Sequence, residues 1–402
     1  MRKFNLIAVA FCAVLAATSC CNSTDKTSES QKEPEVRNVI FLIGDGMGFG
    51  AVSSLLLTED SVTGFELAPV IGLNETCSAD NYVTDSPAGG TALATGVRTR
   101  NGYCGVDPEG NQLTSIMRKA QAMGMKSGIV VNTTLTEATP AAFYAGVTDR
   151  DMVYDIAKQF TECGLDVAIG SGLDPFIDRP DSLDLTATLI DKGYDVYLNW
   201  ESVLKTDSDR FIGILPMADV HRRESGRKEA GAAAGHEICL AARMASVSED
   251  TGASHLSEPT VYLQKASAKA LETLSRNNDR GFFLMIESAI IDGYGHNNDS
   301  EGLIAEMKEF DAVLRELIAY VDKNPETLLV VTADHDTGSP WLTYTGHEVG
   351  GSSPITFSFG TRGHSGIVVP VFAYGAGAES FAGAMKNVDI PKRMEGLLNG
   401  SR

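Results

Sequence analysis

Short unbroken apolar runs alternate along the chain with stretches of helical periodicity. Residues 37–43 (Arg-Asn-Val-Ile-Phe-Leu-Ile) form a run rich in β-branched and aromatic side chains, the pattern of a strand buried on both faces. The run ends in Gly44-Asp45-Gly46-Met47-Gly48, and a helical pattern follows through Leu57. Residues 126–131, 166–169, 282–287, 328–332 and 367–373 read as further strands. Residues 112–122, 152–162, 261–276 and 302–321 carry apolar side chains at helical spacing. The alternation predicts an α/β fold, a mostly parallel central sheet with helices on both faces. No internal repeat interrupts it. Residues 222–257, rich in Ala, Gly and charge, read as an exposed excursion from one domain spanning 36–402.

The N-terminus departs from this pattern. Arg2 and Lys3 precede an apolar stretch from Leu6 to Ala16, and small residues lead to Cys20. That reads as a secretory signal over residues 1–19, too short to span a bilayer. Leu15-Ala-Ala-Thr-Ser-Cys20 is similar to a bacterial lipoprotein processing site with Cys20 as the lipidated residue, although Ala17 stands where an apolar residue is usual. Ordinary cleavage near residues 17–19 is the alternative. Residues 20–35, dominated by Ser, Thr, Lys and Glu, read as a disordered tether. Export leaves both disulfides and buried free thiols open for Cys77, Cys104, Cys163 and Cys239, whose spacing matches no zinc finger.

Charge narrows the function. With 53 acidic against 33 basic residues the chain carries a formal −20 and is a poor partner for nucleic acid. An anionic substrate would need a local positive field, from metals or an arginine.

The candidate chemistry lies at strand ends, where α/β sheets bind ligands. Asp45 follows the first strand, Glu287 and Asp292 follow 282–287, and Asp334 and His335 follow 328–332. Glu287, Asp292 and His296 fall within ten residues, with glycines that let the chain bend around a metal. His364 sits in a glycine turn; His347 and His236 compete with it. Carboxylates and imidazoles together suit zinc. Glu137 and Thr139 offer oxygens that suit magnesium. Arg150 offers a planar fork that fits a phosphate. Ser86 opens a run of small residues, 86–96, with Pro87 at a first helical position and 88–94 continuing as helix. The serine is either a helix cap or a nucleophile beside an anion-binding helix N-terminus.

Six blocks in order carry a resemblance. They are residues 38–48, 84–86 with 94–97, 137–141 with 147–150, 287–296, 332–335 and 363–366. Together they resemble the alkaline phosphatase family over nearly the whole chain. The resemblance implies two zinc ions and one magnesium. Asp292, His296 and His364 would hold the first zinc, and Asp45, Asp334 and His335 the second, with Ser86 as its exchangeable ligand. Asp45, Thr139 and Glu287 would hold magnesium, with Glu137 reaching it directly or through water. Arg150 would bind two phosphate oxygens. Nothing in the sequence pairs Ser86 with a histidine base, so zinc is its expected activator.

The same resemblance implies hydrolysis of phosphate monoesters through a phosphoserine at Ser86, and a homodimer in the periplasm or at the cell surface. Its rivals are a phosphodiesterase, sulfatase or phosphomutase of the same superfamily, and a non-catalytic phosphate-binding lipoprotein. Residues 86–90 lack the sulfatase signature. Three positions depart from the common family pattern. Glu137 stands where Asp or His is frequent, and Gly293 replaces a longer side chain, leaving a gap for Tyr294 or water. Pro87, next to the nucleophile, is harmless at a helix start.

Overall fold

The computed structural model describes residues 35–217, 262–343 and 356–400. Cys20, the signal and tether (apart from Glu35), the 222–257 excursion, His236, Cys239 and His347 lie outside them. Fourteen strands are described. In chain order they are β1 (Asn38–Gly44), β2 (Val70–Glu75), β3 (Lys126–Thr134), β4 (Val167–Ser171), β5 (Asp195–Tyr197), β6 (Phe211–Leu215) and β7 (Phe282–Ser288). Then come β8 (Thr327–Thr332), β9 (Asp336–Thr337), β10 (Pro340–Thr343), β11 (Thr356–Phe359), β12 (His364–Ser365), β13 (Val369–Gly375) and β14 (Gly383–Lys386).

Ten of them form one sheet in the order β14-β2-β13-β8-β1-β7-β3-β4-β6-β5. Every pairing in it is parallel except those of β13, which runs antiparallel to β2 and β8. The central strands are apolar on both faces because both are covered. Val39, Phe41 and Ile43 of β1 join one core with helices Ile116–Ala122, Val153–Phe160 and Asp389–Leu398. Ile40 and Leu42 join the other, with helices Phe49–Thr58, Tyr262–Ser275 and Ser300–Lys323. Each core side chain is thus withdrawn from water against a helix, worth roughly 1.5–3 kcal/mol for a large aliphatic or aromatic residue.

Several boundaries move for local reasons. The helix expected from residue 112 starts at Ile116, because Gln112 bridges to Val106 and Ser115 caps the turn by accepting from the Arg118 N–H. The long helix starts at Ser300, where Asp299 accepts from the Gly302 N–H. The largest correction concerns residues 287–296. The stretch expected to bend as a glycine-rich loop is helical over Ile290–Asn297. Asp292 and His296 therefore stand four residues apart on one helix face. Among the described residues Cys77, Cys104 and Cys163 are free thiols, so no disulfide joins any two of these three. No described helix is long and apolar enough to cross a membrane.

Candidate metal centre and serine site

The carboxyl ends of β1, β3, β7 and β8 bring the candidate side chains to one rim. Asp45 turns out of β1, and its N–H donates to the Ser288 carbonyl at the end of β7. Glu287 sits within β7 in register with Ile43 on one side and Val131 on the other. Asp334 and His335 follow β8, and Thr139 lies on the short helix Ala138–Ala141 after β3.

Ser86 is the first residue of helix Ser86–Thr95 and is 2% exposed. The cap is Asp85, whose side chain accepts from the Ala88 N–H at 3.1 Å and from the Gly102 N–H at 2.6 Å. Of the two readings left open for Ser86, the helix cap is therefore taken by Asp85, and the Ser86 hydroxyl is left to face the rim. The small residues after it have a packing reason. A Cβ on Gly89 would come within 3.0 Å of the Asp334 carbonyl, and one on Gly90 within 3.0 Å of Thr139. Only side-chain-free positions let this helix lie against both β8 and β3 ends.

Two groups of ligand atoms converge. Those of Asp45, Asp334 and His335 lie within 4.8 Å of one another, as do those of Asp292, His335 and His364. The His335 Nε2 is 3.3 Å from Asp334 Oδ2, 3.6 Å from Asp45 Oδ1 and 3.2 Å from Ser86 Oγ. The sequence had shown no such serine–histidine neighbourhood. His296 Nε2 stands 3.2 Å from Asp292 Oδ2 and 3.2 Å from His364 Nε2. The His335 and His364 rings stack with centroids 3.6 Å apart.

Hydrogen bonding orients the imidazoles. His296 Nδ1 is 2.5 Å from the Arg362 carbonyl and His364 Nδ1 is 3.1 Å from the Thr84 carbonyl. A carbonyl only accepts, so each Nδ1 donates. In the neutral rings both Nε2 atoms therefore turn a lone pair inward, as metal-binding histidines do.

The electrostatics point the same way. Burial, and then the Asp334 and Glu137 carboxylates, push the Glu287 carboxyl well above its usual range. Burial drives Asp334 up to about 8. His335 is pushed well below its usual value by burial and then by His364. At Asp292 burial acts upward, but His296, His335 and His364 together outweigh it and hold the carboxyl low. Both Glu287 oxygens, Asp334 Oδ2 and the Thr139 hydroxyl are buried with no partner at ordinary hydrogen-bond geometry, and the Thr139 hydroxyl lies near enough to Glu287 to act on its carboxyl. Such groups are costly to bury. Cations among them would remove that cost, so the donor set fits metals: mixed carboxylate and imidazole on one side, oxygen-only around Glu287 and Thr139.

Arg150 is mostly buried and forms an ion pair with Glu137. Its charge also acts on Glu287 and His335. A Cβ on Gly293 would meet no heavy atom within 4 Å, so that departure leaves open space. Tyr294 does not fill it; its ring lies over Gly302, where a Cβ would come within 2.1 Å of it. Sequence reasoning missed Asp85, Thr337 and Asp336. The Asp336 carboxylate accepts from Ser339 at 2.7 Å and from Ser365 at 2.6 Å, tying the His335 loop to the His364 loop. Only its position next to His335 could have drawn attention to it.

Lone pairs and carboxylates turned on one another call for cations, and with a serine hydroxyl in their midst they make the constellation of a metal-dependent hydrolase. The chain belongs to the alkaline phosphatase family, whose sequence profile matches residues 36–358. It is 28% identical to alkaline phosphatase 4 of Bacillus subtilis (strain 168), over 96% of this chain and 95% of the relative. Streptomycin-6-phosphate phosphatase of Streptomyces griseus is 28% identical, over 97% of this chain and 95% of its own length. The solved alkaline phosphatase of the Antarctic bacterium TAB5 superposes with a TM-score of 0.76 at 29% identity, covering 92% of this chain and 99% of that one. A His-to-Asp mutant of the TAB5 enzyme was solved with Mg bound in its M3 site.

Proposed function

We propose that the protein is an alkaline phosphatase that hydrolyses phosphate monoesters to alcohol and inorganic phosphate through a phosphoserine at Ser86. The observation that carries this reading is the Ser86 hydroxyl 3.2 Å from His335 Nε2, the nitrogen that also faces Asp45 and Asp334.

Asp292, His296 and His364 would hold one zinc; Asp45, Asp334 and His335 would hold the other. Asp45, Thr139 and Glu287 would hold magnesium, with Glu137 beside them. The ions, when bound, supply Lewis-acid polarisation of phosphoryl oxygens and lower the pKa of a coordinated hydroxyl or water. The rest falls to the chain. The N-terminus of helix Ser86–Thr95 places Ser86 where backbone N–H groups favour a dianion. Ser86 Oγ gives up its proton and attacks phosphorus, the bond from phosphorus to the ester oxygen breaks, and the alcohol departs after taking up a proton. Water then attacks phospho-Ser86, freeing the serine and inorganic phosphate. Arg150, steered by Glu137, offers its fork to two phosphoryl oxygens. All these contacts grip the phosphoryl group, so a broad range of monoesters is the expected substrate class.

The Ser86–His335 contact favours one second reading, a metal-free serine–histidine pair. His335, pushed well below its usual value by burial and then by His364, is a poor base for that role. Turnover of a chromogenic phosphate monoester at alkaline pH, before and after chelation, separates the two. The proposal expects loss on chelation and recovery with zinc and magnesium. Turnover that survives chelation supports the serine–histidine pair, and no turnover at all removes both.

The N-terminal pattern supports export and a lipid anchor at Cys20, with the domain of residues 36–402 held at the periplasmic or cell-surface side of a membrane. Radiolabelled palmitate incorporated by the natural protein and lost in Cys20→Ser tests it. The family supports a homodimer.

A further inference from the structure

Thr337 is buried at 2% exposure among the segments that carry Asp45, Asp292, His335 and His364. Its hydroxyl donates to Asp292 Oδ1 at 2.5 Å and lies 3.1 Å from His335 Nδ1. Its N–H donates to the Gly46 carbonyl at 3.2 Å, next to Asp45. Across the β9–β12 ladder it stands directly opposite His364. Thr337 thus meets Asp292 in one cluster, His335 in both, and the chain segments that carry Asp45 and His364.

A hydroxyl carries one proton. Thr337 gives it to Asp292, so only a lone pair faces His335. His335 Nδ1 must then donate, which leaves Nε2 without a proton and aimed at Asp45, Asp334 and Ser86. The side chain cannot readily turn away. A Cβ on Gly46, which has φ +69°, would come within 2.8 Å of Thr337 Oγ1, and one on Gly295 within 3.0 Å of Thr337 Cγ2. The close approach of both backbones wedges the threonine in one rotamer.

We propose that Thr337 is a positioning residue that couples the two metal clusters. A single hydroxyl orients the Asp292 carboxylate for one ion and sets the His335 tautomer for the other. The inference rests on the metal reading above. It adds that the two sites are not independent, because losing the hydroxyl takes a donor from one and an acceptor from the other.

The test is a calorimetric titration of chelator-stripped full-length protein with zinc alone, for the natural chain, Thr337→Val and Thr337→Ser. Thr337→Val keeps the shape and removes the hydroxyl; both zinc sites are expected to weaken by about 10- to 100-fold, the usual effect of removing a group that orients a metal ligand. Thr337→Ser restores the hydroxyl and is expected to bind close to the natural protein. Unchanged binding by Thr337→Val, weakening at one site alone, or a Ser variant that behaves like Val overturns the proposal. If the natural protein takes up no zinc, the metal reading itself fails and this inference falls with it. Should Thr337→Val not fold, a long-range proton–nitrogen spectrum of the metal-stripped natural protein decides. A His335 protonated on Nδ1 supports the proposal, and one protonated on Nε2 overturns it.

Discussion

The Ser86 hydroxyl and His335 Nε2 lie 3.2 Å apart across 249 positions of sequence. The helix starting at Ser86 and the end of β8 can meet because Gly89 leaves room for Asp334. This contact turns a serine that sequence alone left as cap or nucleophile into one facing a carboxylate–imidazole cluster.

Replacing Ser86 by Ala should lower kcat by about 10³-fold or more while leaving zinc uptake intact, because the attacking atom is lost and the protein ligands are kept. Steady-state kinetics alongside metal analysis checks both halves.

Arg150 should be irreplaceable by lysine. A guanidinium presents two parallel N–H groups to a phosphoryl group, and an ammonium presents a point charge. Arg150→Lys and Arg150→Ala are both expected to lower kcat/KM, by about 10-fold or more, or about 1.4 kcal/mol of transition-state binding. Competitive inhibition by inorganic phosphate should weaken in parallel.

Metal removal should make stability depend on pH. Burial raises Asp334 from 3.8 to about 8, so without cations the folded state holds a proton there that the unfolded state has released. Stability is then greatest below the unfolded value and is lost as pH rises through the window between them. Thermal unfolding of the chelated protein should therefore fall steadily from about pH 4 to pH 8. The metal-loaded protein should be flatter over that span, since the cation replaces the proton. Equal slopes in both forms would contradict the cation site.

The buried Glu306 carboxylate accepts from Ser288 at 2.6 Å and from Asn132 at 2.8 Å, and Asn132 in turn accepts from the Ala289 N–H at 2.8 Å. This network braces the turn after Glu287. Glu306→Ala leaves two buried donors unmet and should destabilise by about 1–3 kcal/mol in denaturant unfolding. Glu306→Gln keeps an acceptor oxygen and should lose less.

Strands β1, β7 and β8 were legible because a strand covered on both faces must be apolar throughout, and the polar residue that breaks the run marks the rim. That rule alone located Asp45, Glu287 and Asp334. β2 was not legible, since Ile71 and Leu73 point outward while Gly72 and Asn74 are buried, which inverts the usual pattern. Gly293 and Gly295 hid the helix that sets Asp292 above His296. Thr337 carried no signal in sequence, because its hydroxyl meets groups 45 and 2 positions away that only the fold brings to it.

Acid quenching during turnover of a phosphate monoester, followed by mass spectrometry of the digested protein, tests the central claim most directly. The account predicts one phosphoryl group, carried on Ser86, in the metal-loaded protein and none after chelation. Turnover of the monoester with Ser86 never phosphorylated, or with the phosphoryl group on another residue, would contradict it.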